Sequence, residues 1–129
     1  MTSPLRVNRR TLLGVAGTVL LAVRPGPAFA HAHLKAQEPA AGTTVSGPVG
    51  QLKLTFSEPL ELAFSRVEVQ SSDKRDIKTG PLGLQPGHPT VLLVPFVEPL
   101  RAGRYTVDWH ATAADTHKTQ GHYEFVVAP

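Results

Sequence analysis

Four residues of this chain have types and spacings that could hold a metal: His31 and His33 near one end, Asp115 and His117 near the other. Asp115 and His117 are two apart within "AADTHKTQ" (113–120). In an extended backbone, residues i and i+2 point to the same side, so a carboxylate and an imidazole would converge on one point. His31 and His33 follow directly on Ala28-Phe29-Ala30. That tripeptide has the small-x-small form at which export signals are cut. Cleavage after Ala30 would make His31 the first residue, adding a free α-amine to its imidazole.

The residues upstream have the layout of such a signal. Arg6, Arg9 and Arg10 form a basic start, residues 11–23 ("TLLGVAGTVLLAV") are apolar and uncharged, and Pro25, Gly26 and Pro27 break the segment before the cut. A helix of that length covers about 20 Å, short of the roughly 30 Å hydrocarbon core of a bilayer, so a retained anchor is the weaker reading. Arg9-Arg10 before Thr11-Leu12-Leu13 also resembles a twin-arginine signal, which exports a folded chain. The expected division is residues 1–30 as a cleaved export signal and 31–129 as one exported domain.

With cysteine absent, the donors available to the exported domain are nitrogen and oxygen. If the mature N-terminus lies at the same end of the domain as the 113–120 loop, an amine with a reference pKa of about 8, two imidazoles (His31, His117) and the Asp115 carboxylate would form a nitrogen-rich set. Tetragonal coordination by such donors favours Cu(II), which heads the divalent affinity order, while Zn(II) would prefer a tetrahedron. Two other readings stand beside this one. Asp-x-His pairs in loops are commonly just solvated, and a free amine followed by two amides and His33 is itself a local square-planar chelator for Cu(II) or Ni(II). His110 and His122 fall on the outward faces of strands, His88 falls in a polar loop, and Trp109 and Tyr105 fit the inward phase of a strand.

Composition narrows the function classes. The net charge of +3 belongs to the leader: Arg6, Arg9, Arg10 and Arg24 lie in it, leaving nine Lys and Arg against ten Asp and Glu, or −1, beyond residue 30. Nucleic-acid binding therefore loses its compositional support, and no nucleic-acid partner is expected. The 99 remaining residues suffice for one small core, stabilised by packing without disulfides.

Period-two patterning predicts strands at "QLKLTF" (51–56), "VEVQ" (67–70), "GRYTVDWHAT" (103–112) and "GHYEFVV" (121–127), with a continuous apolar strand at "VLLVPF" (91–96). Residues 71–90 read as a polar loop with one short edge strand. Leu60, Ala63, Phe64 and Val67 instead fit helical spacing, predicting a helical turn or bulge in "PLELAFSRV". The fold class expected is all-β: a small antiparallel β-sandwich or Greek-key barrel, immunoglobulin-like without the disulfide. On this reading the connection 113–120 is longer than a simple chain reversal needs, and long loops on a β scaffold commonly carry function.

Three stretches, "HAHLKAQEPAAGTTV" (31–45), "LKLTFSEPLE" (52–61) and "PLRAGRYTVDWHATAADTHKTQGHYEFVV" (99–127), resemble the CopC-type periplasmic copper-resistance proteins. The resemblance implies a Greek-key sandwich or barrel that binds one Cu(II) through the mature N-terminal histidine and the Asp and His of a D-x-H loop, here His31, Asp115 and His117. It also implies copper carriage or buffering outside the cytoplasm beside an inner-membrane copper importer; a monomer is expected. Some such proteins carry a methionine-rich Cu(I) loop, but the only methionine here is Met1, so no separate Cu(I) site is expected. Two readings from other classes are a copper monooxygenase, which also holds copper by an N-terminal histidine, and a metal-free structural sandwich. Against catalysis, a carboxylate donor fills a position oxygen chemistry needs open, and the few aromatics are committed to the core.

Overall fold

The structure, a computed structural model, describes residues 31–129. The expected export signal, its cleavage site and the alternative of a retained anchor lie outside the described residues. Among the described residues no helix is long and apolar enough to cross a membrane.

Among the described residues, eight strands form two four-stranded sheets. β1 (Leu34–Glu38), β3 (Val49–Phe56), β6 (His88–Leu100) and β5 (Gly83–Gln85) make the first sheet, in the order β1-β3-β6-β5. β2 (Thr44–Val45), β8 (Lys118–Val127), β7 (Gly103–Thr112) and β4 (Arg66–Ser71) make the second, in the order β2-β8-β7-β4. Of the two architectures expected, the layered sandwich is the one formed. Its pairings are antiparallel except that β2 runs parallel to the end of β8.

Alternation along the strands decides what is inside. Leu52, Leu54 and Phe56 of β3 face Val67 and Val69 of β4, Val107 and Trp109 of β7 and Tyr123, Phe125 and Val127 of β8 in one buried cluster. The Phe56 and Trp109 rings meet edge-on with centroids 5.3 Å apart, joining the sheets near the end where β3 stops and β7 turns. Trp109 fits there because its cross-strand partner is Gly121: a Cβ at that position would lie 2.7 Å from the indole Cζ2.

Three boundaries differ from expectation. β8 begins at Lys118, three residues before the expected start, because Lys118, Thr119 and Gln120 pair with Thr112, Ala111 and His110. The β7–β8 connection is therefore only residues 113–117, a tight hairpin rather than a long loop. His88 is not a loop residue but opens β6, paired with Gln85. The helical spacing at 60–67 becomes one 3-10 turn, Leu62–Phe64, and residues 71–90 do contain the short edge strand β5. Thr112, a buried polar residue, ties that turn to the hairpin: its Oγ1 donates to Phe64 O at 2.9 Å and its N–H to Ser65 Oγ at 3.1 Å.

Candidate metal centre

The hairpin tip forms itself. Ala113 N–H donates to His117 O at 2.9 Å and Thr116 N–H to Ala113 O at 2.8 Å, while Thr116 takes φ 76°, a left-handed conformation that is costly for a β-branched residue. Asp115 holds this turn closed. Its Oδ1 accepts the His117 N–H at 3.1 Å, and its Oδ2 lies 3.0 Å from His117 Nδ1. Asp115 and His117 do converge, but through an Asx-type turn and not the extended alternation that the spacing predicts. The hydrogen bonds from the His117 backbone N–H first, and then from its side chain, hold the Asp115 carboxyl below its ordinary range, so it stays anionic. The tip is anchored to the segment after β3, since Ala114 N–H donates to Pro59 O at 2.9 Å.

The same segment anchors residues 31–33. Ser57 N–H donates to His33 O at 2.9 Å, Ser57 Oγ accepts the His33 N–H at 2.9 Å and donates to His31 O at 3.0 Å. Across the sandwich, Thr119 Oγ1 donates to Ala32 O at 2.6 Å. Ala32 is fully buried between the exposed His31 and His33, so alternation turns its methyl into the core and both imidazoles outward.

These anchors bring His31 to the hairpin. The His31 and His117 rings stand 5.0 Å apart, nearly perpendicular, and the His33 ring lies 6.2 Å from that of His31. Thus three of the four expected residues, His31, His117 and Asp115, gather at one end of the sandwich, with His33 at the margin. No group of three or more His, Asp and Glu side chains that could hold a metal is found among the described residues. Asp115 is turned onto His117, and in the uncut chain the His31 nitrogen is an amide to Ala30. His110 belongs elsewhere, its Nε2 3.3 Å from Arg66 Nη2, and His122 is exposed opposite Asp108. Sequence reasoning missed Ser57 and Thr119, the two hydroxyls on the His31–His33 backbone; only the alternation of His31, Ala32 and His33 hinted that this segment is fixed.

The family profile described as "CopC domain" matches residues 34–128, from the first residue of β1 to just past the end of β8. The chain belongs to the CopC family. Among CopC relatives, it is 41% identical over 99 residues to Protein YobA of Escherichia coli (strain K12), covering 77% of this chain and 80% of that one. It is 35% identical over 106 residues to Copper resistance protein C of Escherichia coli, covering 78% and 83%. The crystal structure of PcoC, a methionine-rich copper resistance protein from Escherichia coli, superimposes with a TM-score of 0.68 at 31% identity, covering 76% of this chain and 99% of that one. The match to the family accounts for the sandwich and for the span of the domain.

Proposed function

We propose that this CopC-family chain is exported to the periplasm, cut after Ala30, and there carries or buffers one Cu(II) ion. The metal is clamped between the new N-terminus and the β7–β8 hairpin. His31 supplies its amine and imidazole, His117 a second imidazole and Asp115 an anionic oxygen. The observation that carries this reading is the approach of the His31 and His117 rings to 5.0 Å, which brings donors from the two ends of the domain within reach of one ion. Asp115 beside His117 adds the carboxylate, and its anionic state suits a cation.

The family supports copper as the cargo, since a relative is named for copper resistance. With one methionine in the whole chain, this protein departs from the methionine-rich PcoC, which favours a single Cu(II) site over a pair of oxidation-state-specific ones. The role is binding and hand-over, to an inner-membrane copper transporter, and not catalysis: a carboxylate donor offsets part of the ion's charge and occupies a position oxygen activation requires.

The test is metal titration of the chain beginning at His31, with Zn(II) as competitor. One tightly bound Cu(II) per chain at neutral pH is expected, with affinity falling as acid protonates amine and imidazoles. Zn(II) binding as tight as Cu(II) under the same conditions would contradict it.

A further inference from the structure

Resting on the clamp just described, the geometry points to Ser57 and Thr119 as the residues that decide which of two copper chelates the N-terminal histidines form. A sequence beginning His-Ala-His offers copper two choices: the clamp with Asp115 and His117, or a local chelate of amine, two consecutive amide nitrogens and the His33 imidazole in one plane. The local chelate requires the Ala32 and His33 amides to lose their protons and turn toward a common point.

The structure holds that backbone in a different shape. All three carbonyls of His31, Ala32 and His33 accept hydrogen bonds, from Ser57 Oγ, Thr119 Oγ1 and Ser57 N–H in turn. The His33 N–H, which the local chelate must deprotonate, is donated to Ser57 Oγ at 2.9 Å. Ala32 is fully buried, so rotating its amide toward a metal would pull its methyl out of the core. The two hydroxyls come from different sheets, Ser57 just past β3 and Thr119 on β8, so the clasp closes across the sandwich. Neither hydroxyl is a donor to the metal in this scheme; both act through the backbone they hold, which leaves the amine and the His31 ring as the only local donors and turns copper toward the hairpin.

The test uses chains beginning at His31, which contain all eight strands described. Cu(II) affinity, visible absorption and paramagnetic resonance are compared for the unaltered chain, Ser57→Thr and the double variant Ser57→Ala/Thr119→Val. In the unaltered chain, His117→Ala should weaken binding and His33→Ala should not. In the double variant the visible band should move to shorter wavelength as in-plane nitrogens increase. His33→Ala should then cost roughly tenfold or more in affinity, and His117→Ala should no longer matter. Ser57→Thr should keep the original spectrum. A folded double variant with the original spectrum and undiminished dependence on His117 overturns the clasp while leaving the clamp intact. An unaltered chain that depends on His33 and ignores His117 overturns both. A readout that needs no substitution is Ni(II), which favours the square-planar local chelate: the clasp predicts no square-planar Ni(II) spectrum at neutral pH, and its appearance in the unaltered chain overturns the proposal.

Discussion

His117 is held from two sides, by Asp115 within its own turn and by the His31 ring across from it. The clamp ranks substitutions accordingly. His117→Ala and Asp115→Asn should each reduce Cu(II) affinity by at least the roughly 10–100-fold that loss of a supporting partner costs a metal site, whereas His33→Ala should leave it nearly unchanged; copper titration of the three variants gives the order. Tyr123 offers a test unconnected with copper. Its buried hydroxyl has no hydrogen-bond partner among the described residues, and burial pushes the phenol above its ordinary range. The native state therefore holds this proton more strongly than the unfolded chain. The stability it contributes is complete below the unfolded tyrosine pKa of about 10 and is lost as pH rises above it. Tyr123→Phe should lessen that alkaline loss, and at neutral pH should cost little or raise stability by about 1 kcal/mol, because it removes an unsatisfied polar atom. Urea melts at pH 7 and above pH 10 measure both. At this scale the sequence anticipated that Asp115 and His117 meet, for an incomplete reason: i, i+2 spacing named the pair, but a side-chain hydrogen bond and a left-handed Thr116 bring them together, and neither is visible in spacing.

Strands were legible wherever alternation was strong, as along Tyr105-Val107-Trp109 and Leu52-Leu54-Phe56. The start of β8 was not, because Lys118, Thr119 and Gln120 are polar and read as loop, yet they pair through the backbone, which carries no side-chain pattern. β2 is only two residues long and its parallel partner is distant in sequence, so no local signal could announce it. Gly121 reads as the first residue of the last strand, with nothing in the spacing to say what lies over it. In the fold it sits under the Trp109 indole, which in turn packs on Phe56. Gly121→Ala places a methyl where the ring already is and should destabilise the domain by about 1–3 kcal/mol, the usual cost of overpacking. Thermal or urea unfolding of the variant checks this, and an unchanged midpoint would mean that the indole has room to move.

Over the whole molecule, the segment after β3 acts as a keystone, with Ser57 tied to residues 31 and 33 and Pro59 tied to the hairpin tip. On the proposed clamp, a metal bound across these parts would link His31 to the last hairpin. Such binding is to the folded state alone, so saturating Cu(II) should raise the thermal midpoint of the processed chain, by an amount set by RT ln(1 + [L]/Kd). Nothing in the sequence of residues 113–120 says that residue 31 is their neighbour; that follows from the topology, and the family resemblance supplied it in advance. The most direct measurement compares Cu(II) affinity and copper-induced thermal stabilisation for two chains, one beginning at His31 and one retaining Ala30. The extra residue changes no strand but converts the His31 amine into an amide. The account predicts that the chain retaining Ala30 binds much more weakly, with an altered spectrum and little stabilisation. Equal affinity, spectrum and stabilisation in the two chains would contradict it.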